Sequence, residues 1–157
     1  MFNTEKDAIL FAIRREIEAF LTYKKLSEIV TSQDIKVLFV SLSNDENIHR
    51  ESLEKLFNEQ FGKRPIIDAE GIRVEIPNDF DKAYALKILD TAMEKEREAS
   101  RLYRQFADES TNESLKRLFM RFADMEDGHF DALQAERNRM IDEYYWFNQN
   151  IDRSRED

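Results

Sequence analysis

Apolar residues recur every three or four positions along four long stretches of this chain, and each stretch predicts an amphipathic helix. The first runs from about Thr4 to Val30, with Ile9, Ala12, Ile13, Phe20 and Tyr23 on one face. The polar run Thr31-Ser32-Gln33-Asp34 supplies turn and N-cap chemistry. A second helix continues to about Phe61, carrying Val37, Leu38, Leu42, Leu53, Leu56 and Phe57, and Gly62 suits its C-terminal cap. The third spans about Asp79 to Asp108, and Ser110-Thr111-Asn112 breaks the pattern again. The fourth runs from about Glu113 past Met140, with Leu115, Leu118, Phe119, Phe122 and Leu133 on its stripe.

Between the second and third stretches, residues 62–79 (GKRPIIDAEGIRVEIPND) are too many for a hairpin turn between antiparallel helices. Fully extended they reach roughly 60 Å, more than the roughly 40 Å of a 27-residue helix. The pattern therefore predicts an all-α four-helix bundle with one long crossover between helices 2 and 3. Within the crossover Ile72, Val74 and Ile76 alternate with charged residues, which suggests a short strand, pairing with a second subunit. Residues 1–140 form the bundle, as helix pairs 4–61 and 79–140, and residues 141–157 a tail. Tyr144, Tyr145, Trp146 and Phe147 in that tail suit either a subunit contact or a short helix capping the same subunit.

The two helix pairs also match each other. At an offset of 80 residues Ala12, Glu18, Ala19 and Tyr23 meet Ala92, Glu98, Ala99 and Tyr103. Thr31, Lys36, Leu38, Phe39 and Leu53 meet Thr111, Lys116, Leu118, Phe119 and Leu133. This reads as an internal duplication, which packs with pseudo-twofold symmetry.

Composition narrows the function classes. Three glycines and two prolines in 157 residues favour long helices and one domain. A formal charge of −9 leaves no basic stripe for nucleic acid. The first twenty residues mix acids and bases into every turn, so they predict neither a signal peptide nor a membrane span. The absence of cysteine removes disulfide, thiolate-metal and thiol chemistry, and a reducing cytoplasm is the default compartment.

Both histidines close the same pattern, Glu46-x-x-His49 and Glu126-x-x-His129, and each Glu is preceded 30 residues earlier by another, Glu16 and Glu96. Glu16 and Glu46 lie symmetrically about residue 31, roughly 22 Å along each helix, so a hairpin sets them at one height. Glu96 and Glu126 do the same about Thr111. Glu and His three apart share a helix face, and each acid interrupts an apolar stripe, so all point inward. Random placement would produce the six together about once in five thousand chains of this composition.

Four carboxylates inside a bundle would each cost several kcal/mol, or stay protonated, without partners. Two divalent cations cancel four glutamates, and two neutral imidazoles complete an oxygen-rich set that suits two iron ions, or manganese, better than structural zinc. The metal ligands predicted are Glu16, Glu46, His49, Glu96, Glu126 and His129. Tyr23 and Tyr103 either pack in the core or hydrogen-bond a ligand carboxylate. Asp45 lies near His49 but its counterpart is Met125, which leaves the outer partners of the imidazoles open. Glu18 and Glu98 fall off the inward face and are expected in solvent. Gly128, mid-helix, either admits a close backbone approach or opens access to the site.

The pattern E-x-x-A-x-x-x-Y occurs at Glu16–Tyr23 and again at Glu96–Tyr103. Joined to the two Glu-x-x-His motifs, it resembles the rubrerythrin branch of the ferritin-like superfamily over about residues 4 to 140. The resemblance implies a ferritin-like bundle with a non-haem di-iron centre on the six residues named, and a homodimer or higher homo-oligomer. Two departures stand out. No four-cysteine rubredoxin segment is present, so a peroxidase would need a separate electron donor. Rubrerythrins also carry an extra glutamate where this chain has Ala99, which makes the site a symmetric six-ligand centre. The function expected is oxidation of Fe(II) by hydrogen peroxide or oxygen. The competing expectations are iron storage, an oxygenase with an organic substrate, and a metal-free scaffold.

Overall fold

The computed structural model describes residues 4–68, 72, 74 and 82–153. Four helices account for nearly all of them: α1 (Glu5–Ile29), α2 (Gln33–Phe61), α3 (Lys82–Glu109) and α4 (Glu113–Arg153). Side chains at the breaks satisfy the free amides of the helix starts. Thr4 caps α1 by accepting from the Asp7 amide at 3.1 Å, and Ser32 caps α2 by accepting from that of Ile35. The Asn112 side chain accepts from the amides of Ser114 and Leu115 at 3.0 and 3.2 Å, opening α4. Gly62 closes α2 in the left-handed region, φ 66°, where its N–H reaches the Asn58 carbonyl at 2.9 Å.

Glu5, at the start of α1, accepts from Gln60 near the end of α2 and from Ser110 beyond the end of α3. The carboxyl ends of α2 and α3 therefore lie at the same end of the molecule. The chain leaving α2 must travel the length of the bundle before α3 begins, which is the long crossover. Among its described residues, Ile72 and Val74 are half-buried and carry no strand, while Ile76 lies outside the described residues. The start of α3 expected at Asp79 also lies outside them.

The core has two apolar layers. Ile9, Ile13, Leu53, Phe57, Tyr103, Phe106, Leu115 and Phe119 belong to one. Tyr23, Leu26, Ile35, Phe39, Leu42, Leu89 and Leu133 belong to the other. On every helix the sequence passes from one layer to the other through its glutamate: Ile13 to Glu16 to Tyr23, Leu42 to Glu46 to Leu53, Leu89 to Glu96 to Tyr103, and Phe122 to Glu126 to Leu133. The two apolar layers enclose a polar middle layer from both ends.

Two expectations change. Val37 is 59% exposed, because the buried line of α2 runs through Ile35, Phe39 and Leu42 and position 37 faces away at 100° per residue. The aromatic segment continues α4 rather than starting a new element: the helix runs through it to Arg153, with Tyr144, Tyr145 and Phe147 exposed.

Candidate metal centre

All six predicted donors are buried, from 1% exposure at His49 and Glu126 to 6% at His129. They meet in the middle layer as two groups, Glu16, Glu46, His49 and Glu126, and Glu46, Glu96, Glu126 and His129. Within each group the potential ligand atoms lie within 4.8 Å of one another. Glu46 and Glu126 belong to both groups, while Glu16 and Glu96 each belong to one.

Helix spacing aims the imidazoles. One turn separates each histidine from the glutamate before it, and the ring then presents Nδ1 to the acids. His49 Nδ1 lies 3.2 Å from Glu16, 3.2 Å from Glu46 and 3.3 Å from Glu126. His129 Nδ1 lies 3.1 Å from Glu126, 3.3 Å from Glu46 and 3.7 Å from Glu96. The ring of His49 is held by stacking on Phe122, with centroids 4.6 Å apart.

The electrostatics of this layer follow from burial and crowding. Burial, and then the charge of Glu46, push the Glu16 carboxyl well above the usual carboxylate range. Burial raises Glu96 likewise, to about 7. For Glu46 and Glu126 burial also opposes ionisation, but hydrogen bonds from both imidazoles outweigh it and hold both acids below their ordinary value. Burial works against a charged His49, yet its three carboxylate neighbours overcome this and push it up to about 12. His129 is raised for the same reasons. These shifts share one cause, carboxylates and imidazoles crowded into a buried layer, and such a donor set could be neutralised by divalent cations.

Outside the donors, the two halves diverge. The Tyr23 hydroxyl donates to Glu96, so this phenol does bond a predicted ligand. Tyr103 Oη, its counterpart, is buried without a hydrogen-bond partner. His129 Nε2 lies 3.4 Å from Asp45 Oδ2, whereas His49 Nε2 has no partner. Asp45 thus lies beside the histidine of the opposite half, the question the sequence left open.

On the α1–α3 side the site opens into a cleft of about 350 Å³. Glu16, Glu46, Glu96 and Glu126 line its floor, and the small side chains Ala19, Ala92 and Ala99 keep it wide. Glu18 lines its mouth and is only half-buried, paired with Arg14 at 3.7 Å, while Glu98 is exposed. Gly128 contributes no close approach: it is exposed, and a Cβ there would meet nothing within 4 Å. Among the described residues no helix is long and apolar enough to cross a membrane.

Comparison with known proteins agrees with this geometry. The family model described as Rubrerythrin matches residues 7–137. The uncharacterized protein YhjR of Bacillus subtilis (strain 168) is 29% identical over 118 residues, which cover 75% of this chain and 76% of that protein. A hypothetical protein from Pyrococcus furiosus superposes with TM-score 0.77 at 28% identity, covering 89% of this chain and 92% of its own. The bacterioferritin-related protein of Bacteroides fragilis, described as a dodecameric thioferritin, superposes with TM-score 0.75 over 93% of this chain and 89% of its own; at 16% identity that likeness speaks to the fold.

Proposed function

We propose that this chain, which belongs to the rubrerythrin family, is a di-iron oxidoreductase in which Fe(II) held by the six buried donors is oxidised by hydrogen peroxide or oxygen. The observation that carries the reading is the middle layer itself: four carboxylates and two imidazoles, shut in by two apolar layers, in two groups that share Glu46 and Glu126. Such a cluster is costly unless cations neutralise it. Glu16 and His49 would hold one ion, Glu96 and His129 the other, and Glu46 and Glu126 would bridge. Two iron ions there would supply two electrons and open positions for a small oxidant; manganese fits the same donors. Tyr23 orients Glu96 through its hydroxyl. The apolar layers keep bulk water away, so the α1–α3 cleft is the route by which an oxidant arrives.

Re-reduction is assigned to a separate electron donor. We assign the protein to the cytoplasm, where such donors and Fe(II) occur, and to a homo-oligomer. The exposed Tyr144, Tyr145 and Phe147 at the end of α4 offer a subunit contact, and assembly is a property of the dodecameric relative. The test is to load the protein with Fe(II) anaerobically and add peroxide or oxygen separately. Failure to bind iron, or oxidation no faster than that of free Fe(II), sinks the proposal.

A second reading is favoured by the cleft. At about 350 Å³ it is larger than peroxide or oxygen requires, and Ala99 leaves it open beside the acids. An oxygenase acting on a small organic substrate would use that space. Filling it with Ala99→Phe should abolish turnover of an organic substrate while leaving peroxide consumption measurable; equal effects on both would count against this reading.

A further inference from the structure

The chain is a duplication, so every group around the centre has a counterpart 80 residues away, and departures from that symmetry single out what differs between the halves. Glu16, Glu46 and His49 repeat as Glu96, Glu126 and His129. The supporting groups do not repeat. Asp45, which reaches His129 Nε2 at 3.4 Å, is replaced in the second half by Met125, and a thioether cannot serve as a carboxylate acceptor for His49. His49 Nε2 accordingly stays buried without a partner. The phenols behave the same way: Tyr23 donates to Glu96, while Tyr103, whose counterpart acceptor would be Glu16, is buried with its hydroxyl unpaired. Both supports fall on the same donors. Glu96 and His129 are each braced from outside, and Glu16 and His49 are each unbraced.

Taking the cluster as a two-metal centre, we propose that its two positions are unequal: the position on Glu96 and His129 holds a resident ion, and the position on Glu16 and His49 holds a weaker, exchangeable one. Asp45 acts as a positioning residue. From 3.4 Å its carboxylate favours a proton on Nε2 of His129, the tautomer that leaves the Nδ1 lone pair for the ion. The Tyr23 hydroxyl fixes the direction of the Glu96 carboxylate in the same way. At the other position the ring of His49 stacks on Phe122, and its far nitrogen is buried without a polar partner. Outer partners of this kind change metal affinity about 10–100-fold, so a gap of that order separates the two positions.

The experiment is a titration of the metal-free protein with Mn(II) in the absence of oxidant, following free Mn(II) by electron paramagnetic resonance. Two ions per chain are expected, in steps separated by at least about tenfold. Asp45→Asn should weaken the first step and leave the second in place. Met125→Asp, which supplies His49 with the missing carboxylate, should strengthen the second. Both positions are partly exposed, Asp45 with 41% of its side chain and Met125 at 41%, so neither change threatens folding. His129→Ala should remove the tight step and His49→Ala the weak one. Two ions bound with one affinity, or Asp45→Asn acting on the weak step, would overturn the inequality while leaving the two-metal reading intact. A protein that binds no Mn(II) and no Fe(II) would overturn both.

Discussion

The imidazoles of His49 and His129 lie nearly parallel, with centroids 5.8 Å apart and planes inclined by 17°. Each turns Nδ1 toward shared carboxylates, and each holds a proton there in the metal-free protein. Metal binding must therefore expel protons before it can use either nitrogen. With His49 pushed up to about 12, the imidazolium persists across the neutral range. Raising the pH lowers the cost of removing that proton, so apparent affinity should increase steadily from pH 6 to pH 8. In weak buffer near neutral pH, about three protons should appear per chain loaded, one from each imidazole and one from Glu16, with a further fraction from Glu96. Affinity that is flat with pH, with no proton release, would contradict this account.

Glu16 offers a separation between folding and metal binding. Burial and the neighbouring Glu46 raise its carboxyl well above the usual range, so the metal-free protein carries it protonated, and glutamine is then a neutral isostere. Glu16→Gln should leave the stability of the metal-free protein within about 1 kcal/mol of its parent. The same change should shrink the rise in melting temperature that saturating Fe(II) or Mn(II) produces, since ligands stabilise by binding the folded state. Calorimetry with and without metal measures both effects, and a metal-free scaffold would show no such rise.

Gly128 sits inside α4, exposed, with empty space where a Cβ would go. Nothing there requires glycine. Gly128→Ala should stabilise the protein by about 1 kcal/mol through helix propensity, read as a shifted urea midpoint. A loss of stability would mean that the backbone at residue 128 takes a conformation that alanine cannot adopt.

Leu53 and Leu133 are duplicate positions, each fully buried, but in opposite apolar layers. Truncating either to alanine should cost about 2–5 kcal/mol. Since the metal groups lie between the layers, both variants should also lower metal affinity, whichever position the ion occupies. A variant equally destabilised but binding metal normally would show that the layers do not set the donor geometry.

Much of this protein was legible in the order of its residues. A helix turns 100° per residue whatever surrounds it, so the buried stripes, the breaks at Ser32 and Asn112, and the inward direction of six acids and histidines follow from local backbone hydrogen bonding. The equal 30-residue intervals about the two breaks then set Glu16 level with Glu46, and Glu96 level with Glu126. Contacts between helices are another matter, because they depend on rotation and register settled by packing of the two apolar layers. Only the tertiary structure decided that Glu46 and Glu126 take the shared places, that Asp45 reaches across to His129, and that Tyr23 finds Glu96 while Tyr103 finds nothing. It also decided that Val37 faces outward and that a cleft opens beside Ala99. Symmetry in the sequence could announce a paired centre; differences of a few ångströms between packed helices were needed to make its halves unequal.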